Sequence, residues 1–552
     1  MAGIQLGGLV SGFDTTSMVE SLMKVEQLKV DKVQQQKMKV EWQKEAYVKV
    51  SDRYSEFILS MRDTFGISNS ISSHGLTRPS TTNNLSWVNK ATTSNSSILE
   101  AKVLSEAKPG KYEVKVTQLA DNFKAASSAN VSKKKDGANL AEQLGLDPNL
   151  DIDLEISNGK ESIKIQGKAQ DLTMDALVKQ INGLSGVSAS YDKTIDRFFI
   201  QTTETGAEHQ LKITDNTGTG TSTSGGEVLK ALKLDSSIKN EETYKGQNAK
   251  IDYNGAKDIE FSSNTFNLQG IEFTINSSNV NETVIVNVST DVDAVVDKVK
   301  TFVDEYNKLI TDIGKTLSES TYRDYAPLTD AQKESMTEKQ IELWEEKAKS
   351  GLLRNDSIIS MIQQNIKSAI LQDVVLSDGT SINLNSIGIQ TKSYSSAATS
   401  GELQIDEDKL RAAITNNPSG VLELFFATPS DSDLNTSDRN LSTSQVQEKR
   451  KQCGLFNRIT DVMVNGMSQI INKAGAGDSA NNYRKVNTFI MLDFTASGSK
   501  SLLDNRLLDI NKRITSLNAS MAKIEARYWS KFTAMETALS KLQSQQSMFY
   551  NI

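Results

Sequence analysis

The sequence predicts an α+β protein in which the N- and C-terminal segments form a helical coiled-coil stalk, with nested, mainly antiparallel β head domains inserted between them. Residues 13–65 and 499–552 contain neither glycine nor proline, and both stretches repeat apolar residues every seven positions, as coiled coils do. Between them the apolar period falls to two, which is typical of half-buried strands. A helical period returns near residue 292. Insertion of a β region into a helical stalk is the simplest arrangement that satisfies this order.

The first long helix has a narrow apolar stripe. Ser17 and Glu20 have the spacing of a capping box, so we expect the helix to begin there. A companion row turns polar in its middle, at Lys37, Lys44 and Ser51, and such a stripe buries too little surface for the helix to stand alone. The main seven-residue row consists of Val19, Glu26, Val33, Val40, Tyr47, Tyr54 and Met61.

The middle of the chain alternates apolar and polar residues in short segments, which predicts antiparallel strands with one exposed face. One short helix is expected near residues 172–181. Residues 215–227 have almost no apolar side chain and predict a mobile surface loop. The predicted strands include "KYEVKV", "DIDLEI", "SIKI", "GVSASY", "RFFI", "KIDY", "GIEFTI" and "TVIVNV".

Helices return in the second half. A broad apolar face over residues 292–313 predicts a firmly buried helix. A charged, mostly helical excursion over residues 315–350 follows, and then shorter helices near residues 358–371 and 406–414.

The last helix carries a seven-residue apolar row that needs a partner. Two partners remain open: the first helix of the same chain, or another protein that orders the final turns when it docks. A second row at Leu503, Ile510, Leu517 and Ile524 fades toward the end of the chain. The main row is Leu507, Ile514, Met521, Tyr528, Met535, Leu542 and Phe549.

These patterns divide the chain into five predicted parts, two of them terminal. We expect the first terminal part to be disordered in the free protein and the last to be partly so. The parts are a terminal helix (1–40), a helical stalk domain (41–90 with 289–498), a first β head domain (91–125 with 245–288), a second, inserted β-rich head domain (126–244) and a terminal coiled-coil helix (499–552).

Composition excludes several classes of function. With 62 Lys and Arg against 69 Asp and Glu, the net charge of −7 indicates no nucleic-acid surface, and the apolar runs are too short for membrane insertion. One cysteine, Cys453, and two histidines are too few for a cysteine metal cluster or a histidine-based triad. Nucleotide-binding, zinc-protease and hydrolase motifs are missing. We therefore predict no enzyme and no catalytic, cofactor-binding or metal-binding residues.

Seven motifs follow one another along the chain. They are "GLVSGFDTTSMVESLMKVE", "KPGKYEVKVTQLA", "VKTFVDEYNKLI", "GLLRNDSIISMI", "LNSIGIQTK", "GELQIDEDKL" and "FTAMETALSKLQSQQSMF". Their order resembles that in the flagellar filament cap proteins, the hook-associated protein 2 family. Residues 177–206 are also similar to the Ile-Asn module of several flagellar proteins.

The resemblance implies a structural protein that caps the distal end of the bacterial flagellar filament, promotes flagellin polymerisation and prevents loss of exported flagellin. It implies a homo-oligomer, usually a pentamer, that contacts flagellin and hook–filament junction proteins and uses an export chaperone. It also implies an extracellular location at the filament tip, reached through the flagellar type III apparatus. The start of the chain lacks the charged region and apolar core of a cleavable signal peptide, which agrees with that route.

Two other readings remain. The protein is alternatively a surface adhesin that binds host mucin or glycans through the β head, or a coiled-coil scaffold, which would explain neither the inserted β region nor the ordered motifs. For the cap, we predict oligomer or filament contacts through the apolar rows of both terminal helices. The predicted contact residues are Val19, Val33, Val40, Leu507, Ile514, Met521, Tyr528, Met535, Leu542 and Phe549.

Overall fold

The computed structural model describes residues 14–67, 70–71, 77–78, 85–104, 106–218, 226–431, 433–434, 441–496 and 498–550. The chain divides into two compact units, residues 1–85 with 292–552 and residues 86–291. Long helices and several antiparallel sheets confirm the α+β prediction. The finer domain boundaries drawn from the sequence remain a prediction, and residues 1–13 and 551–552 of the predicted terminal helices lie outside the described residues.

Helices dominate the first unit, and the described residues of the second unit form three short helices. In chain order they are α1 (Thr15–Phe65), α2 (Leu140–Leu144), α3 (Met174–Ile181), α4 (Glu227–Ala231), α5 (Val292–Ser318), α6 (Asp330–Glu334), α7 (Glu338–Lys349), α8 (Ser357–Leu371), α9 (Glu407–Asn416), α10 (Pro418–Phe426), α11 (Thr443–Gln452), α12 (Leu455–Ala474), α13 (Ala480–Val486), α14 (Thr488–Ala496) and α15 (Leu502–Tyr550).

Most of the strands belong to the second unit. They are β1 (Ser70–Ile71), β2 (Thr77–Arg78), β3 (Asn89–Thr93), β4 (Leu99–Val103), β5 (Gly110–Gln118), β6 (Lys124–Ala126), β7 (Asp151–Ser157), β8 (Ser162–Lys168), β9 (Val187–Asp192), β10 (Arg197–Thr202), β11 (Gln210–Asp215), β12 (Thr243–Lys245), β13 (Ala249–Tyr253), β14 (Ala256–Phe261), β15 (Thr265–Leu268), β16 (Ile271–Ile275), β17 (Val284–Thr290), β18 (Val374–Val375), β19 (Ser381–Ile382), β20 (Ile389–Thr391) and β21 (Leu403–Ile405).

Helix α1 begins three residues earlier than the capping-box spacing predicts. Asp14 is the N-cap, and its carboxylate accepts hydrogen bonds from the backbone N–H of Ser17 at 2.9 Å and from the Ser17 hydroxyl at 2.7 Å. The prediction of a box between Ser17 and Glu20 is therefore wrong. Aspartate is as good an N-cap as serine, and the heptad pattern does not distinguish between them.

The C-terminal half of α1 lies in the core of the first unit. Phe65 packs edge-on against Phe426 at a centroid distance of 4.8 Å and against Phe456 at 5.7 Å. Phe302 of α5 contacts Phe57 of α1 at 6.2 Å. Because α5, α10 and α12 all supply aromatic rings here, this half of α1 is anchored on several sides.

Two apolar cores are formed by the residues of the second unit that the structure describes. Around the first lie a five-stranded antiparallel sheet in the order β14-β13-β5-β17-β3 and a three-stranded sheet in the order β15-β16-β4. The second core is surrounded by the sheets β6-β10-β9 and β12-β11-β7-β8 with helices α2, α3 and α4. The alternation that predicts the strands reappears as alternating burial, for example along β7.

The prediction of a mobile surface loop over residues 215–227 is wrong at both ends of this stretch. Asp215 and Thr217 are fully buried. The Asp215 carboxylate accepts hydrogen bonds from the backbone N–H groups of Val228 at 2.9 Å and Leu229 at 3.0 Å. A buried carboxylate thus holds the two ends of the stretch together, which composition does not reveal. Residues 219–225 lie outside the described residues.

Candidate functional site

The two terminal helices form one antiparallel pair within the chain. Lys44 of α1 forms an ion pair with Asp504, which places the start of α15 beside the middle of α1. Thr15 and Val19, near the start of α1, are buried, although they lie about 40 Å from Lys44 along the helix. Among the described elements, α15 makes the most extensive contact with α1. An antiparallel pairing of α1 with α15 therefore accounts both for the ion pair between Lys44 and Asp504 and for the burial of Thr15 and Val19.

This pairing buries part of the predicted contact set. Val19, Val33 and Val40 are buried, and Leu507, Ile514, Met521 and Tyr528 are half-buried. The main rows of both helices consequently face each other, and of the two partners left open by the sequence the structure shows the one in the same chain. The side chain of Phe549 lies outside the described residues.

The seven-residue row on α15 does not continue to its end. Met535 is 38% and Leu542 60% exposed. Half-buried positions instead follow Tyr528 in steps of four and three, at Phe532, Glu536 and Leu539. In the antiparallel register set by Lys44 and Asp504, Met535 and Leu542 lie beyond the described part of α1, beside residues 13 and 6, so the described part of α1 does not face them.

A second apolar row on α1 stays uncovered, and sequence reasoning missed it. Met18 is 45%, Leu22 39%, Val25 59% and Leu28 65% exposed. Their spacing of four, three and three residues places them along one side of the helix, beside the buried row. A search for two parallel rows would have found it. In the antiparallel register residue 18 lies beside residue 530, so Met535 and Leu542 lie toward the same end of the pair. We call these six residues the open apolar surface.

A groove lined by both charged and apolar residues lies on the C-terminal half of α1, between Trp42, the end of α5 and the end of α7. Its volume is about 510 Å³. The Lys349 ammonium lies 4.9 Å from the centre of the Trp42 ring, and Arg53 forms an ion pair with Asp312. The groove is lined by residues of both charges, and several of them pair with each other. It therefore offers no binding preference for a ligand of one charge.

In the described part of the chain, no group of three or more His, Cys, Asp and Glu residues is placed to hold a metal ion. No described helix has the length and apolar character needed to cross a membrane. Paired terminal helices with β structure inserted between them in the chain define an α+β protein whose helix pair ends in an uncovered apolar surface.

Comparison with known proteins gives the particular family. The profile of the flagellar hook-associated protein 2 N-terminus matches residues 11–122, and that of its C-terminus matches residues 246–544. The chain belongs to the flagellar hook-associated protein 2 family. It is 31% identical to flagellar hook-associated protein 2 of Halalkalibacterium halodurans, over 98% of both chains. It is 25% identical to the Salmonella typhimurium protein of that name, over 72% of this chain and 70% of the other.

A solved structure of the flagellar cap protein FliD D1-D2-D3 domains from Escherichia coli is also similar. The sequence identity is 20% and the TM-score 0.49, over 78% of this chain and 96% of the other. Family membership confirms the prediction of a flagellar filament cap protein. It gives no support to the adhesin alternative.

Proposed function

We propose that the protein assembles, as five copies, into a cap at the distal end of the flagellar filament, where it promotes flagellin polymerisation and prevents loss of exported flagellin. The family supports the location and role. The observation that carries the contact with the filament is the open apolar surface. Its partners are flagellin and hook–filament junction proteins, and an export chaperone accompanies the chain through the flagellar type III apparatus.

The open apolar surface suits reversible docking. Full burial of a side chain such as leucine or methionine stabilises a contact by about 1.5–3 kcal/mol. Met18, Leu22 and Val25 together supply a useful part of a binding energy, reduced by the ordering of the side chains that make the contact. A cap that shifts each time a flagellin subunit is inserted needs contacts of this moderate strength.

The test is complementation of a bacterium that lacks its cap protein. A variant with Leu22→Glu and Val25→Glu places two charges on the open apolar surface without touching the buried row. We expect short or absent filaments and flagellin released into the medium, because burial of an unpaired carboxylate opposes docking. Filament length by electron microscopy and flagellin in the culture supernatant are the measurements.

The matched control is Lys24→Glu, an exposed position on the same helix that lies more than a quarter turn from both Leu22 and Val25. We expect normal filaments with this change. Circular dichroism of each purified variant verifies that the fold is kept. Normal filament growth with the double variant would exclude the open apolar surface as the docking site.

A further inference from the structure

The helix pair carries opposite charges on its two sides. Against a net charge of −7 for the whole chain, one side is rich in cations and the other in carboxylates. We call them the basic side and the acidic side. The basic side carries Lys29, Lys32, Lys39, Arg506, Arg513, Arg527 and Lys531. The acidic side carries Glu20, Asp31, Glu41 and Glu525, together with two lysines, Lys24 and Lys37, of which Lys37 is paired with Glu41 at 3.7 Å.

Helical geometry assigns these positions. Each residue turns the helix by about 100°, so Lys29, Lys32 and Lys39 lie about a quarter turn from the buried row of Val19 and Val33, in line with the open apolar surface. Because α15 runs in the opposite direction, its row of Arg506, Arg513, Arg527 and Lys531 lies on that same side of the pair. Asp509 is the exception there, and it is paired with Lys512 at 3.6 Å.

The basic side has few partners among the described residues. All seven cations are exposed, and within the described part of the chain Lys29 alone forms an ion pair, with Glu26 at 2.7 Å.

The cations of the basic side and the carboxylates of the acidic side also lie at matching positions along the axis of the helix pair. With Lys44 beside Asp504, residues 17–23 of α1 lie beside residues 525–531 of α15. Arg527 and Lys531 are therefore level with Glu20 and Glu525. Farther along, Lys29, Lys32 and Arg513 are level with Asp31. Lys39 and Arg506 are level with Glu41.

We propose that the basic side of this helix pair receives the acidic side of a second copy of the chain. Copies related by rotation about one axis share the same height, so each group of cations would meet carboxylates of its neighbour. Such a contact joins two different surfaces and generates a ring when the rotation closes. The inference rests on the proposed cap oligomer and adds the surface that joins neighbouring copies.

The experiment measures the mass of the full-length protein by sedimentation velocity at low salt. One variant reverses the basic side, Arg513→Glu with Arg527→Glu, and another reverses the acidic side, Glu20→Lys with Asp31→Lys. The matched control, Lys160→Glu with Lys193→Glu, makes the same change of charge at exposed turn positions of the second unit, away from the helix pair. A milder pair, Arg513→Gln with Arg527→Gln, serves if the reversal disturbs the helix by circular dichroism.

We expect wild type and control to associate, with salt weakening the association. Each reversed variant should associate at least about tenfold more weakly, because like charges then face each other. A mixture of the two reversed variants should restore association, since one presents acidic sides and the other basic sides.

Three results would overturn the inference: a monomeric wild type, reversed variants that associate like wild type, or a mixture that stays monomeric. Reversed variants that associate normally but fail to support filaments would mean that another protein binds these sides. The cap function is tested separately, by filament growth. A negative result for the contact between copies therefore does not contradict the cap function.

Discussion

Arg458 lies almost fully buried in α12, and its guanidinium donates to backbone carbonyls. Its hydrogen bonds reach the carbonyl oxygens of Gln372 at 2.8 Å and Asp373 at 2.5 Å, just beyond the C-terminus of α8. Burial lowers its pKa to about 10. A cation at a helix C-terminus satisfies carbonyls that have no partner in the helix and is stabilised by the helix dipole.

Replacement of Arg458 by methionine should therefore destabilise the first unit. We expect Arg458→Met to lower the free energy of unfolding by about 2–4 kcal/mol, because buried carbonyls lose their donors. Chemical denaturation followed by circular dichroism measures the change. The control is Arg323→Met at an exposed position, where a change below about 0.5 kcal/mol is expected. Equal effects at both positions would contradict the role given to Arg458.

Asp504 makes the contact between α1 and α15 sensitive to acid. Burial opposes ionisation of Asp504, but hydrogen bonds from Lys44 and from the hydroxyl and backbone N–H of Ser501 outweigh it, so its pKa lies below the usual value. A lowered pKa in the folded state means that the carboxylate stabilises the fold above about pH 4, the ordinary aspartate range. This contribution is lost as the pH falls through the lowered pKa.

Asp504→Asn should accordingly cost about 1 kcal/mol at pH 7, a size typical of helix N-terminal capping interactions. The difference from wild type should shrink as the pH falls below about 4. Thermal unfolding from pH 2 to 7 tests this. A difference that is constant with pH would show that the Asp504 charge does not stabilise the helix pair.

At the scale of the helix, α1 contains a matched pair of valines with opposite surroundings. Val33 is buried against α15, whereas Val25 belongs to the open apolar surface. Both are valines in the interior of the same helix, so helix propensity treats them alike. Their difference is wholly one of packing.

Val33→Ala should lower the free energy of unfolding by about 2 kcal/mol, through lost burial and a residual cavity. Val25→Ala should change it by less than about 0.5 kcal/mol. Hydrogen exchange of α1 and α15 peptides in each variant shows whether the loss falls on the helix pair. Comparable losses for the two variants would mean that Val25 is covered in the free protein.

At the scale of the molecule, the second unit begins and ends in neighbouring strands. Lys90 of β3 pairs with Ser289 of β17, and Asn89 pairs with Thr290. The unit has its own apolar cores, and adjacent ends are typical of an inserted domain that folds by itself.

The isolated segment of residues 86–291 should fold. Its far-ultraviolet circular dichroism should show β structure with a cooperative thermal transition. A segment of residues 86–283 is the control. It lacks β17, which pairs with both β5 and β3 in the five-stranded sheet, and we expect it not to fold. An unfolded longer segment would mean that the second unit depends on the helical one.

The sequence by itself determined the fold class, the two terminal helices and most of the long strands. Helical and strand periods are local properties of the chain. The structure shows them as the buried row that includes Val19 and Val33 and as the alternating burial along β7. The order of motifs likewise predicted the family, because that order is a property of the linear chain. Isolated short strands such as β6 and β12 carry too few residues for a period and were missed.

Tertiary structure alone decided how far along the terminal helices the predicted rows are covered. Met535 continues the same row as Met521, yet Met521 is half-buried and Met535 is exposed, because the described part of α1 does not extend to Met535. Nor could the sequence show that Asp215 joins the two ends of a polar stretch. Burial depends on the relative position of two segments, so neither segment alone contains it.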